Sequence, residues 1–181
     1  PGAQNFHQWG SITVFNGLPS DSVRAIAQTP DGVMWFGTDN GLARFDGRRV
    51  QNFSLGSPDA NRINVLKAAS SGELWIGTRA GAFIYSENAF RPVDSTQSVG
   101  ITAILLGPED YLGTDAGRVL RVKSVESGGL SAEGITSEPN ADEAGRPMAI
   151  TSLIDHGGQL LAGTAGRGAF VVKDGKASEF P

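Results

Sequence analysis

The sequence contains no cysteine and only two histidines and two methionines, and each shortage removes a kind of chemistry. Without cysteine there is no disulfide framework, thiolate zinc site or cysteine nucleophile. The histidines, His7 and His156, stand far apart and beside no nucleophile pattern. No catalytic residue, metal ligand set or cofactor is therefore expected. No apolar run approaches the roughly 18–20 residues of a membrane span, and Pro1 opens no signal-peptide pattern. The expectation is a mature or trimmed soluble piece, with any membrane anchor lying outside it. Net charge is −4 and the basic residues are scattered singly. A nucleic acid or an anionic membrane would call for a clustered basic face, so neither is an expected partner.

Glycine, by contrast, is abundant. The chain has 25 glycines in 181 residues, about twice the roughly 7% of an average protein. They fall in turns of a repeated unit. Asp31-Gly-Val-Met-Trp-Phe-Gly-Thr-Asp-Asn-Gly-Leu-Ala-Arg-Phe-Asp-Gly47 holds two short apolar runs bounded by glycine turns, the pattern of a hairpin of mostly buried strands. It is echoed at Leu74–Gly81, Tyr111–Gly117 and Leu160–Gly168. Trp35 and Trp75 are 40 residues apart, Trp75 and Tyr111 36, and Tyr111 and Leu161 50. A unit of roughly 40 residues marks a repeat architecture.

Glycines interrupt every run before a helix of ordinary length could form, so no helix is expected. Four short antiparallel strands per unit predict an all-β fold, a β-propeller of four consecutive four-stranded blades. Their expected bounds are 21–54, 61–94, 99–138 and 147–180. A leading strand is expected over 8–16, because Gln8–Phe15 is rich in β-branched and aromatic residues. Trp35, Trp75, Tyr111 and Leu161 occupy one position on the second strand of each unit. An indole buries roughly 150–250 Å², so they are expected to wedge adjacent blades together. Phe36, Ile76 and Leu112 point to the other face.

These residues resemble the two-component regulator propeller repeats of bacterial sensor proteins. The likeness is carried by Gly17-Leu-Pro-Ser-Asp-Ser-Val23, Pro30-Asp-Gly-Val-Met-Trp-Phe-Gly-Thr38 and Gly41-Leu-Ala-Arg-Phe-Asp-Gly47. It is good in the second unit and fades in the third and fourth, where Tyr111 and Leu161 replace tryptophan. The stretch Lys123–Arg146 lies outside it. The resemblance implies a periplasmic or extracellular sensory propeller of seven or eight blades, coupled to an output signalling domain outside this chain. Four units would then be the N-terminal part of a longer ring. Pairing of two copies through open blade edges, or closure as four blades, are the other readings.

Candidate ligand-binding residues are those that vary inside the Gly-Thr-x-x-Gly turns: Asp39, Asn40, Arg79, Asp115 and Arg167. Ser20, Asp21, Asn61, Arg62 and the acidic loop Glu138–Glu143 are expected on the same face, and insertions in repeat folds tend to map to one face. Alternating acids and arginines on a rim suit a polar solute such as an oligosaccharide, or a partner protein. Thr38, Thr78, Thr114 and Thr164 are expected to serve the turns themselves. So are Asp31, Asp46 and Asp174, each of which precedes a glycine. Gly163–Gly168 looks like a phosphate loop but lacks Lys-Ser/Thr and a following helix. The functional expectation is non-catalytic sensing. The alternatives are a stand-alone carbohydrate- or protein-binding module and, more remotely, a propeller lyase.

Overall fold

The computed structural model describes residues 11–125, 129–136, 141–173 and 176–179. Four antiparallel sheets follow one another along the chain, each with its strands in sequence order. The first blade is β1 (Val23–Gln28), β2 (Met34–Thr38), β3 (Gly41–Phe45) and β4 (Val50–Phe53). The second is β5 (Ile63–Ala68), β6 (Leu74–Thr78), β7 (Gly81–Ser86) and β8 (Ala89–Pro92). The third is β9 (Ile101–Leu105), β10 (Asp110–Thr114), β11 (Val119–Ser124) and β12 (Leu130–Gly134). The fourth is β13 (Ile150–His156), β14 (Gln159–Thr164), β15 (Ala169–Lys173) and β16 (Lys176–Glu179). This is the all-β propeller architecture that the repeat predicts.

Two elements correct the sequence reading. Residues 14–16 of the expected leading strand form a 3-10 turn, Val14–Asn16. The Thr13 hydroxyl accepts from the Phe15 amide at 3.3 Å, and the Asn16 side chain accepts from the Thr13 amide at 3.0 Å. This reciprocal cap, closed by Gly17 at φ 105°, outweighs the β preference of Ile12–Phe15. The expectation of no helix also fails at Pro58–Asn61, a single α-helical turn, α1. The Ser57 hydroxyl accepts from the Ala60 amide at 3.1 Å, and Pro58 occupies the first turn, where its missing N–H costs nothing. Ser-Pro-Asp was the signal. Several expectations lie outside the described residues: Gln8 and Trp9, His7, residues 138–140, Asp174-Gly175 and Phe180-Pro181.

The first strands adjoin in series, β1 with β5, β5 with β9 and β9 with β13. Each carries a bulge, at Arg24, Asn64, Thr102 and Thr151, in its pairing with the second strand. The core lies between sheets. Trp35, Leu42, Ile63, Leu66, Leu74 and Ile76 fill the joint between the first and second blades. Trp75, Ile84, Ile101, Ile104, Leu112 and Leu120 fill the next. Ala103, Val119, Ile150, Leu160, Ala162 and Val172 fill the third. Thus Trp35 and Trp75 are the inter-blade wedges, and Ile76 and Leu112 answer them from the facing blades. Trp35 is buried, and its indole N–H donates to the Thr29 hydroxyl at 3.3 Å, so its polar end is satisfied. Leu18 caps the outer face of the first blade against Phe36 and Ala43.

Glycine sets how close the blades approach. A Cβ on Gly37 would stand 2.4 Å from Ile63 Cγ2, on Gly77 2.8 Å from Ile101 Cγ2, and on Gly113 2.6 Å from Ile150 Cγ2. Each joint therefore seats a β-branched residue of the next blade in a glycine socket.

Candidate functional site

A threonine closes the turn between second and third strands in all four blades, reaching the carbonyl three residues on in the first two and four residues on in the last two. Thr38 and Thr78 donate to the carbonyls of Gly41 and Gly81 at 2.8 and 2.9 Å. Thr114 and Thr164 donate to Arg118 and Gly168 at 3.1 and 2.9 Å. Each hydroxyl also accepts from a backbone amide of its own turn. Thr38, Thr78 and Thr114 are fully buried. These threonines close the turns.

The next residue ties the turn to the entry of its own blade. The amides of Asp39, Arg79, Asp115 and Ala165 donate to the carbonyls of Ser22, Arg62, Gly100 and Ala149 at 2.8–3.1 Å. The equivalent of Asp39, Arg79 and Asp115 in the fourth blade is thus Ala165. Arg167 sits two residues further on, in a three-residue turn.

The five candidates lie at one end of their sheets, and the side chains of Asp39, Arg79 and Arg167 are each held by a nearby partner. Asp39 accepts from Arg24 and stands 3.5 Å from Arg62, which belongs to the connection into the second blade. The Arg24 hydrogen bond, aided by Ser22, holds the Asp39 carboxyl below the usual carboxylate range. Asn40 anchors through its amide to Thr38 at 3.1 Å. Arg79 reaches Asp59, on α1, at 3.6 Å. The Asp115 carboxylate lies where a Cβ on Gly100 would be. Arg167 donates to the Ala141 carbonyl at 2.6 Å, and its guanidinium lies 5.8 Å from the Phe170 ring. The connection Asp59–Arg62 thus links Asp39 of the first blade to Arg79 of the second, and Asp115 and Arg167 stand apart from this pair. Arg24 and Asp59 were missed from sequence. Arg24 looked like a strand residue, and only its bulge turns it toward Asp39. Of the other residues expected on this face, Ser20, Asp21 and Asn61 accept backbone amides at 2.7–3.0 Å and shape loops.

The opposite end holds clefts that the repeat did not announce, among them two that open between blades. One, of about 360 Å³, lies between the second and third blades and is lined by Glu73, Trp75, Arg91, Asp110 and Leu130. The other, about 500 Å³, lies between the third and fourth blades and includes Tyr111, Arg121, Glu133 and Lys173. Beside it Arg121 bridges Glu109 at 3.3 Å and Glu133 at 2.8 Å, and Lys123 meets Glu133 at 2.5 Å. Tyr111 donates to Glu109. Burial, then this hydrogen bond, pushes the phenol up to about 12. Among the described residues no three histidine, aspartate or glutamate side chains gather closely enough to hold a metal ion. No described helix is long and apolar enough to cross a membrane.

Comparison with known proteins agrees with the repeat. Residues 17–40 match the family described as two component regulator propeller. No curated protein matches the chain. Among solved structures, the extracellular domain of a protein assigned as a hybrid two component system of B. thetaiotaomicron superposes with TM-score 0.73 at 20% identity. The match covers 95% of this chain and 26% of that one. The extracellular domain of a protein of that organism assigned as a one component system matches at 25% identity and TM-score 0.64, over 83% of this chain and 20% of its own. Virginiamycin B lyase of Staphylococcus aureus matches at 14% identity and TM-score 0.64, over 88% of this chain and 55% of its own, a likeness of fold alone. This chain therefore spans about a quarter and a fifth of the length of the two extracellular domains. Four blades of one construction, the first opening on the matched segment, show that the chain carries a two component regulator propeller repeat within a β-propeller fold.

Proposed function

We propose that this chain is part of a non-catalytic, extracytoplasmic sensory propeller that binds a polar solute, such as an oligosaccharide, or a partner protein, and passes the signal to an output domain outside this chain. The observation that carries this reading is the charged strip on the turn end of the first two blades. Arg24, Asp39, Arg62, Asp59 and Arg79 keep 32–68% of their side-chain surface exposed. Asp39–Arg62 and Arg79–Asp59 pair at 3.5 and 3.6 Å. Exposed pairs at such distances contribute roughly 0–1 kcal/mol, so a ligand hydroxyl or carboxylate can replace a partner at little cost. Likeness to extracellular domains of signalling proteins supports the location and the role. The same likeness, with no acid–base pair on the strip, favours sensing over lyase chemistry.

The test is a thermal-shift screen with a panel of oligosaccharide fragments, followed by calorimetry on any hit. Arg79→Ala and Asp39→Ala are expected to abolish the shift, while Arg91→Ala, in the cleft at the opposite end, preserves it. A shift that survives the first two substitutions and disappears with the third would move the site to that cleft and overturn the assignment to the turn end.

A further inference from the structure

The first two internal joints share a register but not a filling, and the difference opens a groove beside Trp75. Around Trp35 stand Phe53, Tyr85 and Phe90, linked by ring contacts with centroids 4.8–5.8 Å apart. The register assigns their counterparts around Trp75. Val122 stands opposite Asp110 as Tyr85 stands opposite Leu74, and Ala132 opposite Val122 as Phe90 opposite Tyr85. Val93 meets Ala82 as Phe53 meets Leu42. Three rings at the first joint thus become two valines and an alanine at the second, and the smaller side chains leave room. The cleft of about 360 Å³ beside Arg91 and another of about 510 Å³, which Lys67, Ala69, Ser71 and Leu106 help to line, share Glu73, Trp75 and Asp110.

The polar chemistry changes at the same place. The turn Ala69–Glu73 repeats the backbone bonds of Thr29–Val33. It puts Ala69 where Thr29 accepts the Trp35 indole N–H, and Glu73 where Val33 is buried. Trp75 is 3% exposed, yet among the described residues no group accepts from its indole N–H. The nitrogen is not fully occluded, so it faces the groove that the ring lines. On the facing blade Asp110 takes the strand position that Leu74 fills, fully buried, at the first joint. Arg91 ends the row Trp75–Ile84–Arg91 across the second blade. Glu73 accepts from the Ser71 hydroxyl at 3.3 Å, Asp110 from the Gly107 amide at 3.1 Å, and Arg91 donates to Ser86 Oγ at 2.5 Å. Among the described residues none of these three charges pairs with an opposite one.

We propose that this groove binds an α-amino acid with an apolar side chain. The ammonium bonds Glu73 and Asp110, the carboxylate takes the Trp75 N–H and the Arg91 guanidinium, and the side chain lies against Ile84, Pro92 and Leu130. Two half-buried carboxylates without a cation call for an ammonium. A buried N–H without an acceptor, beside an arginine, calls for a carboxylate. The α-carbon of an amino acid carries both groups, whereas a neutral sugar would leave three charges unpaired. The volume is that of a small-molecule site, for which roughly 300–1,000 Å³ is usual. This goes beyond the sensory reading, uses no residue of the turn end, and stands whether or not that end binds a solute.

Calorimetry of the full chain with L-leucine, L-valine and L-phenylalanine tests it. At least one of the three is expected to bind. Isoamylamine and isocaproate, which lack the carboxylate and the ammonium of leucine, should bind at least about tenfold more weakly than leucine. Glu73→Gln, Asp110→Asn and Arg91→Ala are each expected to weaken binding at least about tenfold. Unchanged far-ultraviolet circular dichroism would show that each variant folds. The decisive variant is Ala69→Thr, which gives the Trp75 N–H the acceptor that Trp35 has. Binding should weaken while resistance to urea is kept or raised, a combination that general damage to the joint cannot produce. Four outcomes would each overturn the proposal: no binding of any of the three amino acids, equal binding of the amine or the acid, wild-type binding by Ala69→Thr, or binding that survives Glu73→Gln and Arg91→Ala and is lost with Asp39→Ala instead.

Discussion

Gly77 lies against Ile101 so closely that a Cβ on it would stand 2.8 Å from Ile101 Cγ2 and 2.5 Å from Val65 Cγ1. Gly77 shows no positive φ, so its need for glycine is steric. Gly77→Ala is expected to destabilise the fold by about 1–3 kcal/mol, the usual cost of overpacking. At Gly163 only the hydroxyl of Ser152 must turn aside. Chemical denaturation of Gly77→Ala and Gly163→Ala checks the contrast. Equal losses would refute the socket interpretation.

Trp35 meets Tyr85 edge-on, centroids 4.9 Å apart, across the joint between the first and second blades. Trp35→Ala is expected to cost about 3–5 kcal/mol, measured by thermal or urea unfolding. Leu161→Ala, at the equivalent position on the half-buried outer face of the fourth blade, should cost clearly less.

Thr78 is fully buried, donating to Gly81 at 2.9 Å and accepting from Ala80 at 3.0 Å. Thr78→Val keeps the shape and removes both bonds, leaving the Gly81 carbonyl short of a partner. A loss of about 1–3 kcal/mol is expected, with no effect on any ligand-induced shift if the threonine serves the turn alone. A lost shift at unchanged stability would instead make it a ligand group.

Tyr111 titrates from about 12 in the fold against an ordinary 10.0, with burial the larger cause. Its folded value is raised, so the stabilisation is complete below pH 10.0 and declines as pH rises from there toward about 12. Tyrosinate absorbance should resolve a late step that Glu109→Gln moves toward lower pH, because Glu109 is the second cause. An unmoved step would assign the shift to burial alone.

Asp39 shows the opposite sign. Its carboxyl is lowered below 3.8, first by the Arg24 hydrogen bond. The contribution is therefore present above 3.8 and lost only as pH falls through the lower folded value. Carboxyl-carbon resonances should place its midpoint below 3.8 and show it rising in Arg24→Ala. Because the group is exposed, the accompanying change in stability should be small.

The sequence by itself determined the blade. Short apolar runs cut every few residues by glycine can bury one strand face against each neighbour and cannot sustain a helix, which is why strands and wedge residues were legible from Trp35, Trp75 and their echoes. Local caps at Thr13 and Ser57 were written there too, but a β-rich or turn-rich composition hides a single helical turn. Tertiary structure decided what touches what across blades. The bulge at Arg24 brings its guanidinium to Asp39, and Asp59 reaches Arg79 only because α1 lies between two blades. The clefts at the opposite end are lined from two blades each, by residues between Glu73 and Leu130 in one and between Tyr111 and Lys173 in the other, which share no sequence pattern. Likewise the glycine in each second strand reads as a turn residue in one dimension. Only the packing of one blade on the next shows that Gly37, Gly77 and Gly113 are filled sockets, and that Gly163 is the same socket with no neighbouring blade among the described residues to fill it.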